Sequence, residues 1–218
     1  GKISGRLGHI KGEGIRVFYG NHSMLNMWCS IKGLPKIKNT FLNFEFKKFT
    51  AWQEDIKQFE AFGFTIPGLI KNLGNIDYKG KITGYLTDFT SSGEITTGIG
   101  RICSDLNIKS DTTFENVFYN GTINTQDFNL GKLLASDKLV GAISFEGSVN
   151  GSTTLKNKTE ARISGFVHSV VVNNSLLTNI SVDGLFANNK FNGSVSVQDN
   201  NLVMDFNGGF DFAPKIPE

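Results

Sequence analysis

Read two residues at a time, the stretch Leu139 to Lys156 (LVGAISFEGSVNGSTTLK) falls into two lists. One holds Leu139, Gly141, Ile143, Phe145, Gly147, Val149, Gly151, Thr153 and Leu155. The other holds Val140, Ala142, Ser144, Glu146, Ser148, Asn150, Ser152, Thr154 and Lys156. The first is apolar or glycine and the second mostly polar, the period of a strand with one dry and one wet face. At ~3.3 Å per residue the segment would run roughly 60 Å, several times the usual strand. Glycine on the dry face leaves gaps in the side-chain row and lets the backbone bend. A long, bent strand with a notched apolar face is the expectation.

The same period recurs through most of the chain. Ile76, Tyr78, Gly80, Ile82, Gly84 and Leu86 share a face, and Ser91-Ser92-Gly93 reads as a turn into Ile95, Thr97 and Ile99, with Leu106 and Ile108 later. Thr113 to Phe128 is strand-like through Asn120-Gly121, and Leu130 to Leu134 reads as one helical turn. Downstream the apolar sets are Ala161, Ile163, Gly165, Val167; then Leu176, Ile180, Val182, Gly184, Phe186; then Phe191, Gly193, Val195, Val197; then Leu202, Met204, Phe206, Gly208, Phe210, Phe212. Between them Asn157-Lys158, Asn173-Asn174, Asn188-Asn189 and Asp199 to Asn201 supply residues that tolerate the positive φ of tight hairpins. Asn-Gly at 150, 192 and 207 stays inside strands, because the period crosses all three without a phase break. Short turns make neighbours antiparallel, so the strands form a meander.

Upstream, Ile15, Val17 and Tyr19 alternate, Asn21 to Ser23 reads as a turn, and Leu25, Met27, Cys29 and Ile31 alternate again. Gly33-Leu34-Pro35 marks a turn before a short strand from Phe41 to Phe46. Thr50 to Phe62 is the one helix, with Thr50 as N-cap and Trp52, Ile56, Phe59 and Phe62 at helical spacing to pack it on the sheet. Glu54 and Asp55 fall in its first turn, where the helix dipole favours them, and are expected to be solvated. Pro67 opens a shorter helical stretch through Leu69, Ile70 and Leu73, stopped by Gly74. The expected organisation is a strand segment over 1–48, a helical segment over 49–74 that packs on or caps the sheet, and a meander groove over 75–218. Without an initiator Met or signal peptide, the whole reads as one domain cut from a longer protein.

Composition narrows the function. Apolar content of 39% with 19% charge is that of a folded chain, and a net charge of +2 spread along it gives no reason to expect nucleic acid. Cys29 and Cys103 are too few for a disulfide scaffold and read as two free buried thiols, with a single bridge between them as the alternative. His9, His22 and His168 are scattered, with no Cys or carboxylate at metal-ligand spacing beside them, and no nucleophile or phosphate-binding motif occurs. An enzyme is not expected, nor a cofactor. Asn-x-Ser/Thr triplets begin at Asn21, Asn120, Asn150, Asn157, Asn173, Asn179 and Asn192, and carry meaning only in a secreted eukaryotic protein.

A sheet wet on one side must cover the other. The chain offers one helix for that, so the sheet either curls on itself or stays open as a trough whose cover is a ligand. Glycine on the dry face favours the trough, and an acyl chain suits it, at roughly 0.8 kcal/mol per buried methylene. The expected lining is Ile82, Leu86, Ile143, Phe145, Val149, Ile163, Val167, Ile180, Val182, Phe186, Phe191, Val195, Val197, Leu202, Met204 and Phe206.

The last hundred residues resemble the TamB/AsmA-like family of Gram-negative envelope proteins, in its Bacteroidetes branch. The likeness lies in Ile180-x-Val182-x-Gly184, Phe191-x-Gly193, Asp199-x-Asn201, Leu202 and Asp205-Phe206-x-Gly208; Gly33-Leu34-Pro35 and residues 78–100 also fit. Leu176-Leu177 stands where that branch commonly has an aromatic pair. The resemblance implies an all-β, taco-shaped or U-shaped antiparallel sheet with a hydrophobic groove. It implies a periplasmic location, an inner-membrane anchor and an outer-membrane assembly-type barrel partner, both reached through parts outside this segment. The implied role is carrying phospholipid between the membranes, with outer-membrane protein assembly beside it. A non-catalytic scaffold or adhesin module with a filled core is the alternative; a solenoid would show a fixed repeat. A transmembrane barrel would carry Tyr and Trp girdles, against Phe 19, Tyr 4 and Trp 2 here.

Overall fold

The computed structural model describes residues 1–61, 68–113, 115–133, 140–154, 159–188 and 190–211. Its strands are β1 (Lys2–Arg6), β2 (His9–Tyr19), β3 (Ser23–Lys32), β4 (Phe41–Ala51), β5 (Ile76–Tyr85), β6 (Asp88–Thr97), β7 (Gly100–Ser110) and β8 (Asn116–Gln126). They continue with β9 (Phe128–Asn129), β10 (Val140–Thr154), β11 (Thr159–Val172), β12 (Ser175–Ala187), β13 (Lys190–Gln198) and β14 (Val203–Asp211). All belong to one 14-stranded antiparallel sheet in chain order, with β8 paired to β10 and the short β9 set against β10. β1 and β14 do not meet, so the sheet is open. Helices α1 (Gln53–Ala61) and α2 (Gly68–Asn72) join β4 to β5, and α3 (Leu130–Leu133) joins β9 to β10.

Several turns follow the local chemistry. Asn173 and Asn174 take φ of 49° and 64° between β11 and β12, and Asn188 takes 51° after β12, the left-handed values a tight hairpin needs. Asn150-Gly151, Asn192-Gly193 and Asn207-Gly208 are all paired within strands. Other expectations are corrected. β5 ends at Tyr85, so Leu86 sits in the hairpin turn rather than on the dry face. Ser91, Ser92 and Gly93 are mid-strand in β6, opposite Ile82, Lys81 and Gly80, and Ile99 is buried in the β6–β7 turn. These small residues make no turn; they provide room for the Tyr78 ring, which lies over Gly80 and Gly93.

β4 runs on to Ala51, into the segment expected to be helical, and Thr50 donates its hydroxyl to Asp77 across the β4–β5 pair instead of capping α1. The expectations at Phe62, Pro67, Leu134, Leu139, Leu155, Lys156, Asn157, Lys158, Asn189 and Phe212 lie outside the described residues, as do the side chains of Phe59 and Leu69.

The accessible surface is 14182 Å². A compact globular chain of 23.9 kDa would expose about 9,900 Å². The excess is what an unsandwiched sheet leaves in water. Among the described residues, buried apolar side chains are correspondingly few, and the main cluster (Val167, Val170, Ile180 and Val197) sits where β11, β12 and β13 adjoin.

Candidate functional site: an apolar furrow

Residues opposite each other in an antiparallel ladder point to the same face. Followed strand to strand, one row of partners runs Gly12, Cys29, Phe44, Ile82, Ser91, Leu106, Gly121, Val149, Ile163, Gly184, Gly193, Gly208. A parallel row runs Met27, Phe46, Gly80, Gly93, Ser104, Ile123, Gly147, Gly165, Val182, Val195, Phe206 by the same pairings. Every Lys, Arg, Asp and Glu placed in this register falls on the opposite face. There the ion pairs Lys81–Glu45, Lys109–Asp88, Arg162–Asp183 and Lys190–Asp211 form. Among the residues paired in the ladder, the inner face is therefore free of charge from β1 to β14.

From β7 to β13 this face encloses a furrow of ≈ 580 Å³. Ile102 on β7 and Val195 on β13 line the same space, though β8, β10, β11 and β12 separate them. At ~4.8 Å between strands a flat sheet would hold them roughly 24 Å apart; only a sheet curled toward this face brings both to one furrow. Of the expected lining, Ile143, Phe145, Ile163, Val167, Ile180, Val182, Phe186, Phe191 and Val195 converge here. Val149 and Val197 are buried on the same face. Met204 and Phe206 share it on β14, opposite Val197 and Val195, with Met204 39% exposed. Ile82 lies on the face at β5, away from the furrow. Leu86 and Leu202 do not contribute: both sit in turns, Leu202 where it closes the β13–β14 connection by bonding Asp199.

The glycines do not leave notches. A Cβ on Gly147 would overlap the Phe145 ring, one on Gly184 the Phe191 ring, and one on Gly80 or Gly93 the Tyr78 ring. Each glycine is the bed on which a neighbouring ring lies flat. Phe206 and Phe210 stack at 4.5 Å on either side of Gly208.

The furrow also takes Ile102, Thr125, Phe128, Leu130 and Val170. Ile102 is not among the expected residues, although its alternation with Leu106 and Ile108 is the signal that could have found it. Phe128 and Val170 carry no such signal, because Asp127 has φ of 48° and the β10–β11 register slips between Ser144 and Phe145. A slip between Val140 and Ile143 likewise turns Val140, from the wet list, against the core, and Asn179 at φ 54° puts Leu177 there in place of Leu176, which is 58% exposed. Cys29 and Cys103 are free and half-buried, on opposite faces, and His168 lies outward against Glu146 at 3.4 Å.

The rim is built from polar ties. Asp55, 1% exposed, accepts bonds at Oδ2 from the Ser23 hydroxyl (2.7 Å), the Ser23 amide (2.8 Å) and the His22 amide (3.1 Å), and at Oδ1 from the Asn21 amide (3.1 Å). The Ser23 hydroxyl, then the three amides, hold its carboxyl down at about 2 against the opposing effect of burial. The amides of Trp52 and Gln53, which the start of α1 leaves unpaired, donate to Ser23 and Asn75. Asp55 is thus a strut between α1 and the β2–β3 turn, not the solvated residue expected. Asp199 does the same at the other end: it accepts from the Asn201 amide (2.8 Å) and from Thr178 (2.7 and 3.0 Å), pinning the β13–β14 turn to β12 with its pKa lowered first by the Asn201 bond.

An open antiparallel sheet with a curled, uncharged inner face defines a class by architecture alone. Comparison with family models, with curated proteins and with solved structures finds no match for this chain.

Proposed function

We propose that the chain is a length of a non-catalytic conduit that carries phospholipid acyl chains between the inner and outer membranes of a Gram-negative envelope. The observation that carries this reading is the unroofed, uncharged furrow between β7 and β13. A phospholipid lying there places its acyl methylenes on carbon, at roughly 0.8 kcal/mol each, while its headgroup stays in water at the open mouth. Because the inner face continues along the ladder without a charge, a chain can advance from strand to strand with no ion to desolvate. The likeness to TamB/AsmA-like proteins supports the same role. With it go a periplasmic setting, an inner-membrane anchor and an outer-membrane barrel partner outside this segment, and a part in outer-membrane protein assembly. A scaffold or adhesin module would be expected to fill its interior, which the open furrow disfavours.

The test is the lipid content of the purified chain, extracted and read by mass spectrometry, beside Val182→Asp. Val182 stands between Gly165 and Val195 in the furrow. Wild type should carry phospholipid, and the variant should lose it while keeping its strand signal in circular dichroism. Wild type without lipid, or a variant that binds as much, removes the conduit reading.

A further inference from the structure

A second apolar pocket, of ≈ 470 Å³, lies at the other end of the same inner face, beneath α1 and α2. Leu25, Phe49 and Ile76 form its floor, Val17 a wall, and Ile56 of α1 with Ile70 of α2 its roof. None of its described lining side chains carries a charge, and its volume falls in the ~300–1,000 Å³ range of small-ligand sites. The roof is held by polar ties at the rim rather than by collapse onto the floor. Asp55 fixes α1 to the β2–β3 turn, Gln53 reaches the Lys71 carbonyl of α2 through its side-chain amide, and Asn72 of α2 donates to the Leu133 carbonyl of α3. A pocket kept open this way is preformed, so a ligand entering it meets little reorganisation.

The floor leads to the furrow. Leu25, Phe49, Tyr78, Ile95 and Ile102 are successive partners across β3 to β7, and Ile102 lines the furrow. We propose that the pocket under α1 and α2 is a separate, partly roofed site for a single alkyl chain of an amphiphile, whose polar end stays outside it on the open face. This rests on the lipid reading of the furrow and adds a holding site beside it.

Phosphatidylcholine vesicles with a photoreactive diazirine in one acyl chain separate the two. After incubation with the purified chain and irradiation, mass spectrometry should find labels in two places: around Ile56 and Ile70, and around Val182 and Phe191. Ile70→Trp fills the pocket from a position already 39% exposed. It should cut the first labelling about tenfold and leave the second. Leu25→Trp, from the floor, should do the same, and Val182→Asp the reverse. Labelling of the furrow alone, or pocket labelling that neither tryptophan changes, overturns the pocket and spares the conduit. Labelling of the pocket alone spares the pocket and overturns the furrow as a lipid path. Absence of labelling at both overturns the lipid reading with the pocket.

Discussion

At the scale of single residues, the chain's organisation depends on Asp55 and the glycine it faces. Gly20 has φ of 59°, and a Cβ there would overlap the Asp55 carboxylate, so Gly20→Ala meets both backbone strain and a buried charge. It should be among the most destabilising alanine substitutions, by ~2 kcal/mol or more, measured by thermal or urea unfolding. The acid limb of stability tests the carboxylate itself. Its folded pKa of about 2 lies below the ordinary 3.8. The stability it confers is therefore complete above about pH 4 and lost as pH falls toward about 2. Asp55→Asn should lower the melting temperature at neutral pH and flatten the fall between these limits; a limb as steep as wild type would exclude the strut. None of this was legible in the sequence. Glu54 and Asp55 look alike at the start of a helix, and only the fold brings the turn at 21–23 under one of them.

At the scale of elements, alternation was legible wherever a strand kept its phase and failed wherever a residue slipped it. The sets from Phe145 to Val149 and from Ile180 to Phe186 needed nothing more than the period of two. A bulge turns every later side chain to the other face, and Val140, Val170 and Leu177 lie just beyond such slips. No residue type announces them: Asn179 takes φ of 54° inside a strand, whereas Asn173, with nearly the same φ, makes a turn. Glycine was legible as a feature of the inner face but not in its use, since a gap and a bed for a ring look identical in a sequence. The difference is measurable. Gly147→Val would drive a side chain into the Phe145 ring and the Ser164 carbonyl, and should cost about 1–3 kcal/mol by overpacking. Ser148→Val, one residue on and facing outward, should change stability by well under half of that. Equal effects in urea unfolding would restore the notch.

At the scale of the molecule, the meander makes each strand depend almost wholly on its two neighbours. Apart from contacts at the helices and β9, the strong contacts join strands adjacent in the ladder, and among the described residues no second layer ties distant strands together. Such a sheet behaves as a one-dimensional array, whose local stability is a sum of nearest-neighbour interfaces rather than one global value. The interfaces are unequal. β11 to β13 contribute the buried cluster of Val167, Val170, Ile180 and Val197, whereas β1 is exposed along its whole length and Val203 on β14 is 72% exposed. Native-state hydrogen exchange should therefore be graded, slowest in β11 and β12 and fastest in β1 and in β14 around Val203, with no common exchange rate across the sheet. That gradient also bears on function. The buried cluster lies beside the furrow, so an acyl chain bound there should slow exchange most in β10 to β13 and leave β1 unchanged. Uniform exchange in the free protein would mean that the strands are coupled through something other than their neighbours, and a furrow formed by local curl would then be the wrong account of the fold.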